Sequence, residues 1–80
     1  MGKEKFFRAN ESFVDYIQMI GFQHRHVDSE KQYYVNSKGN QIRIDYESGI
    51  IALLNSRGNV VDYSSTFTNN QIDNFARKDN

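Results

Sequence analysis

The sequence predicts an α+β fold, a five-stranded antiparallel β-meander flanked by an N-terminal helix and a short C-terminal helix, and three observations predict it. A pentapeptide turn occurs twice, as Asn36-Ser37-Lys38-Gly39-Asn40 and as Asn55-Ser56-Arg57-Gly58-Asn59, each time between short runs rich in β-branched and aromatic residues. The spacing of apolar residues is helical before Gly21 and alternates after it. Near the end, Thr68-Asn69-Asn70-Gln71 is a capping box, the signature of a helix start.

The first helix is expected over Asn10 to Ile20, where Phe13, Tyr16, Ile17 and Ile20 share one face and Gly21 provides the stop. Asn10 and Ser12 are both candidate caps, and Phe6 and Ala9 continue the apolar stripe backwards, so Phe6 and Phe7 are expected to pack as well. Strands are expected over Phe22–Val27, Gln32–Asn36, Gln41–Tyr46, Ile50–Leu54 and Val60–Ser64. In the repeated turn, Asn suits the first position of a type I turn because its side chain accepts local backbone hydrogen bonds, and Gly takes the left-handed position. The strands around the two copies share only a pattern, which favours convergent turn chemistry over duplication.

If the asparagines at the ends of each turn face one another, Tyr34 lies opposite Ile42, and Leu53 and Ile51 lie opposite Val61 and Tyr63. One face then carries Tyr34, Ile42, Ile44, Tyr46, Ile51, Leu53, Val61 and Tyr63, while Gln41, Arg43, Asp45, Asp62 and Ser64 point the other way. The Glu47-Ser48-Gly49 turn allows two registers of opposite parity, and the other would turn Ile50, Ala52 and Leu54 inward. Hairpin order is compatible both with an open sheet and with one that curls into a partial barrel. The last helix should run to about Arg77, with Phe67 and Ile72 as a hydrophobic staple and Ile72, Phe75 and Ala76 as its apolar face.

Eighty residues make a single domain over 1–80, with 1–9 expected to be partly disordered and 79–80 frayed. A chain of this size buries only about 60% of its unfolded surface, which leaves little room for an internal catalytic cleft. Ten basic and ten acidic side chains balance, so the phosphate-driven affinity of a dedicated nucleic-acid or anionic-membrane binder is not expected. The absence of cysteine excludes disulfides, thiolate catalysis and Cys-ligated zinc. No apolar run approaches a membrane span and no signal region follows the charged start, so a cytoplasmic location is expected.

His24-Arg25-His26-Val27-Asp28 has metal-ligand spacing, because residues two apart on a strand point the same way; His24, His26 and Asp28 are weak metal candidates on that ground. The run resembles the HxHxDH motif of metallo-β-lactamase-like hydrolases, but Ser29 occupies the sixth position and the chain is too short for that fold. An edge strand with polar, pairing-resistant side chains is the favoured reading. Asp45, Glu47 and Gly49 form an incomplete calcium-loop series and are read as a hairpin turn. With no carboxylate pair, phosphate loop or nucleophile elbow, neither an enzyme nor a cofactor is expected.

Tyr33 is the best candidate for an exposed aromatic, since Tyr34 is assigned inward and neighbours on a strand alternate. Together with Arg25, Arg43, Lys38 and Arg57 it defines the candidate binding residues, with Lys38 and Arg57 at one rim of the sheet. The leading expectation is a small non-enzymatic module or inhibitor that covers a surface of a larger protein, and the Asn, Lys and Ile usage without proline or cysteine fits small accessory proteins of bacteria and phages. A nucleic-acid module using the same cations and Tyr33 is the alternative, and a self-associating subunit, a homodimer through an edge strand, is a further one.

Overall fold

Both copies of the pentapeptide close the same turn. In the first, Asn36 N–H donates to the Asn40 carbonyl (3.1 Å), Gly39 N–H donates to the Asn36 carbonyl (3.0 Å), and Asn36 Oδ1 accepts from the amides of Lys38 and Asn40. The second repeats each bond with Asn55, Gly58, Asn59 and Arg57. Gly39 and Gly58 have φ of 88° and 87°, a region that residues with a Cβ enter only at a cost. The turns lie side by side, since a Cβ added to Gly39 would stand 3.1 Å from Ser56 Cβ.

The computed structural model describes residues 4–79. Along the chain run β1 (Phe6–Phe7), α1 (Glu11–Met19), β2 (Gln23–Asp28), β3 (Lys31–Val35), β4 (Gln41–Asp45), β5 (Ile50–Leu54), β6 (Val60–Ser64), β7 (Phe67–Thr68) and α2 (Asn69–Ala76). The fold is α+β: strands β2 to β6 form an antiparallel five-stranded sheet in chain order, open because β2 and β6 are its edges. A separate two-stranded pair joins β1 to β7. Residues 1–3 and 80 of the termini expected to be disordered or frayed lie outside the described residues.

The inner face of the sheet is covered by the helices. Phe13 and Ile17 of α1, Phe22, Tyr34, Ile42, Ile44, Ile51, Leu53, Phe67, and Ile72 and Phe75 of α2 form one buried cluster with Phe7. Asn10 caps α1, accepting from Phe13 N–H at 3.2 Å, which decides between the two cap candidates. The capping box of α2 forms with both of its hydrogen bonds, Thr68 and Gln71 each accepting from the other's amide. At the other end of α2, buried Asn40 donates through Nδ2 to the carbonyls of Phe75, Ala76 and Lys78, and Asn36 donates to Ala76. Helix ends leave carbonyls without intrahelical partners, and the first turn supplies donors for them.

Several expectations are corrected. Tyr34 faces Ile42, as expected, and of the two registers open to the middle hairpin the one that pairs Ile42 with Leu53 and Ile44 with Ile51 forms, which puts Ile51 and Leu53 on the inner face. The last hairpin does not keep its register: Leu54 faces Val60, but Leu53 faces Asp62 and Ile51 faces Ser64, because a β-bulge absorbs Val61. Asp62 and Ser64 therefore take the inward parity at the sheet edge, and Val61 (52% exposed) and Tyr63 (68%) are left in solvent. Tyr46 is also exposed, since the strand ends at Asp45 and Tyr46 belongs to the turn. Strand β5 is buried on both faces, Ala52 and Leu54 included, because its position beside β4 gives it long neighbours on the outer side. Finally, Phe6 is exposed while Phe7 is buried: these residues form a strand against β7, whose alternation sends only one ring inward.

Candidate functional site

With both helices on the inner face, the outer face of the sheet is where unburied chemistry collects. Register places His26, Tyr33, Arg43, Ala52 and Tyr63 in one row across all five strands. Ala52 is small and flanked by Arg43 and Tyr63, so the row dips at its centre. The next row toward the repeated turns holds Val35, Gln41, Leu54 and Val60.

Between these rows lies a depression of about 360 Å³ lined by Arg25, His26, Asp28, Tyr33, Gln41, Arg43, Leu54 and the Ser56-Arg57-Gly58 turn. Three guanidinium groups reach it by three routes. Arg43 comes from the regular alternation of β4, and Arg57 from the tip of the second repeated turn. Arg25 arrives through a β-bulge in β2, located between His24 and His26, which aims its side chain at Gln41 Oε1 (3.3 Å). Gln41 is only 6% exposed and donates to the Asn55 carbonyl (3.3 Å), so it is a fixed acceptor that positions Arg25. Tyr33 is half-buried and stacks on His26 with ring centroids 4.6 Å apart and planes inclined by 10°.

Arg25, Tyr33, Arg43 and Arg57 are thus brought together, and Lys38 is not. Lys38 stands at the same rim as Arg57 but turns toward the C-terminal end of α2, where its ammonium donates to the Asp79 carboxylate at 2.7 Å. That bond and the Lys38 charge hold the Asp79 carboxyl below its ordinary pKa. At the opposite end of the outer face Lys31 pairs with Asp45 at 3.8 Å. Among the described residues, no ion pair involves Arg25, Arg43 or Arg57.

The bulge at Arg25 also overturns the premise of the metal candidates. His24 pairs with Tyr34 and His26 with Tyr33, adjacent residues on opposite faces, so the two imidazoles diverge. His24 contacts Gln32 Oε1 at 2.8 Å and meets the Tyr34 ring edge-on, whereas His26 stays with Tyr33. Asp28 lines the depression with His26 and receives a hydrogen bond from Ser29 Oγ. Among the described residues, no group of three or more His, Cys, Asp or Glu is placed to hold a metal ion. The Asp45 carboxylate, one of the calcium-loop candidates, is occupied by its own turn: Oδ1 accepts from the amides of Glu47 and Ser48.

Sequence reasoning missed Gln41, His26 in its stacking role, and Tyr63. Alternation along β4 marks Gln41 as outward-facing, but its burial depends on Arg25 and the second turn closing over it. An unbroken alternation along β6 places Tyr63 inward, and the bulge at Val61 reverses it. No described helix is long and apolar enough to cross a membrane. Comparison with protein-family models, with curated proteins and with solved structures finds no match for this chain.

Proposed function

We propose that the protein is a small non-enzymatic binding module, or inhibitor, that covers a surface of a larger protein with the outer face of its sheet. The observation that carries this reading is the concentration of Tyr33, Tyr63, Arg25, Arg43 and Arg57 on the one sheet face that no helix covers. Tyrosine and arginine are the residues that dominate the energetics of protein interfaces, and here they surround a buried floor of Ala52 and Leu54. A rigid sheet presents such a patch without the entropy cost of ordering a loop on binding.

Affinity capture from lysate of the native host, with mass spectrometry and a nuclease-treated parallel, tests it. The wild type is expected to retain a stoichiometric protein through nuclease treatment. Tyr33→Ala and Tyr63→Ser should lose it, and Met19→Ser, on the exposed side of α1, should keep it. Capture indifferent to both tyrosines removes the outer face from the reading.

The three arginines beside Tyr33 favour a second reading, a nucleic-acid module with Tyr33 stacking on a base. Its signature is a steep loss of affinity for DNA or RNA between low and physiological salt, since each neutralised phosphate releases condensed counterions. A flat salt dependence contradicts it.

A further inference from the structure

We infer that the depression between Arg25, Arg43 and Arg57 is a receptor for a carboxylate side chain, so that the partner presents an acidic segment to it. This rests on the protein-binding reading and names the chemistry of the partner.

The lysines Lys31 and Lys38 are paired with Asp45 and Asp79, yet among the described residues the three arginines have no carboxylate within ion-pair distance. The depression of about 360 Å³ is lined by three arginines and one carboxylate, Asp28, which lies outside ion-pair distance of all three, so positive charge is in excess there and an entering anion reduces its self-repulsion. Guanidinium suits this role because its planar fork of donors binds a carboxylate through two parallel hydrogen bonds and stays charged at any physiological pH. The site is also held in place. Gln41, buried between Asn55 and Arg25, fixes one guanidinium, and the hydrogen-bonded turn fixes the backbone from which Arg57 extends.

The distribution of charge favours an acidic protein segment over a nucleic acid. The β2–β3 and β4–β5 turns, with the strand ends beside them, lie at the other end of the sheet and carry Glu30, Asp45 and Glu47 against Lys31, which pairs with Asp45, while Asp28 at the end of β2 reaches the lining of the depression itself. Three arginines against Asp28 around the depression, and three carboxylates against Lys31 at the far turns, still give the two ends opposite net charge. An extended chain of phosphates crossing it would be attracted at one end and repelled at the other. A protein surface with an acidic residue over the arginines and a basic one over the far turns matches both ends.

The test uses the full-length protein and four probes at equal concentration: hexaglutamate, hexalysine, a ten-nucleotide oligothymidylate and inorganic phosphate. Nitrogen-15 NMR follows the Nε–H signals of Arg25, Arg43 and Arg57 together with the backbone amides. Hexaglutamate is expected to shift these signals, and Arg43→Gln and Arg57→Gln should each weaken its binding by about tenfold. Their spectra and melting temperatures should match those of the wild type. Hexalysine should leave the three arginines unmoved. Tighter binding of oligothymidylate than of hexaglutamate overturns the inference in favour of a nucleic acid, an equal response to phosphate reduces the site to an unselective anion site, and no response to hexaglutamate removes the receptor. The lysate capture separates this failure from that of the protein-binding reading. Capture lost in Tyr33→Ala but kept in Arg43→Gln retains the module and rejects the carboxylate; capture kept in both rejects the module itself.

Discussion

Asn40 and Asn59 occupy the same position of the same turn, and their surroundings make them different residues. Asn40 is 1% exposed and its amide donates to three carbonyls at the end of α2, whereas Asn59 is exposed. Asn40→Ala leaves those carbonyls unsatisfied beneath the surface and is expected to cost about 2–3 kcal/mol, while Asn59→Ala should cost less than about 0.5 kcal/mol; urea denaturation of both variants checks the contrast. Tyr16 ties α1 to α2 by donating its hydroxyl to Asp73. Its pKa is pushed up to about 12, by burial first and then by the hydrogen bond and charge of Asp73. An acid whose folded pKa is raised is stabilised in its neutral form. That contribution is complete below the ordinary tyrosine value of about 10 and is lost as pH rises through about 12. Tyr16→Phe should lower stability by about 1 kcal/mol at neutral pH and flatten the decline between pH 10 and 12, as read from denaturation midpoints across that range.

Among the elements, the first hairpin carries the most local strain. The loop Ser29-Glu30 has φ of 53° and 65°, two consecutive left-handed residues without a glycine, the geometry of a type I′ turn. The double substitution Ser29→Asn and Glu30→Gly supplies the residues that this turn favours and is expected to stabilise the protein by about 1 kcal/mol, seen as a higher urea midpoint with an unchanged slope. The edges of the sheet differ as well. Strand β2 is protected by its bulge and by His24, Arg25, His26 and Asp28, but β6 exposes Val60, Val61 and Tyr63 with only Asp62 as a charge. An edge with so little charge is a template for pairing with other chains. Val61→Lys should therefore reduce aggregation on heating, followed by light scattering, with little change in melting temperature.

At the scale of the molecule, one sheet face serves stability and the other is available for binding. Ile42 lies at the centre of the buried cluster, opposite both Tyr34 and Leu53. Ile42→Ala should cost about 3–4 kcal/mol, a large share of the roughly 4–12 kcal/mol expected for a domain of this length. Arg43→Gln, on the next residue of the same strand, should change the melting temperature by less than about 4 °C, because its side chain faces the outer depression and pairs with no described carboxylate. The contrast between neighbours tests the two-sided division directly by thermal denaturation.

Both helices, the five strands of the sheet, the repeated turn and the inward assignment of Tyr34, Ile42 and Ile44 were determined by the sequence itself, because caps, turn residues and alternation act over a few residues and leave a local pattern, whereas the middle hairpin admitted two parities and only its pairing put Ile51 and Leu53 inward. The same reasoning placed Tyr33 and Arg43 outside. Tertiary structure decided what depends on partners distant in the chain. The bulge at Arg25 sends His24 and His26 to opposite faces, and the bulge at Val61 turns Tyr63 outward; a bulge shifts parity by one residue and carries no composition signal of its own. Phe6 has helical spacing relative to α1, but Phe6 and Phe7 become a strand because β7, some sixty residues away, offers backbone partners. Lys38 and Arg57 have equivalent sequences around them, yet one meets Asp79 beside α2 and the other faces the depression on the outer sheet. Charge and aromatic content were legible residue by residue; their convergence around Gln41 required the sheet to be assembled first.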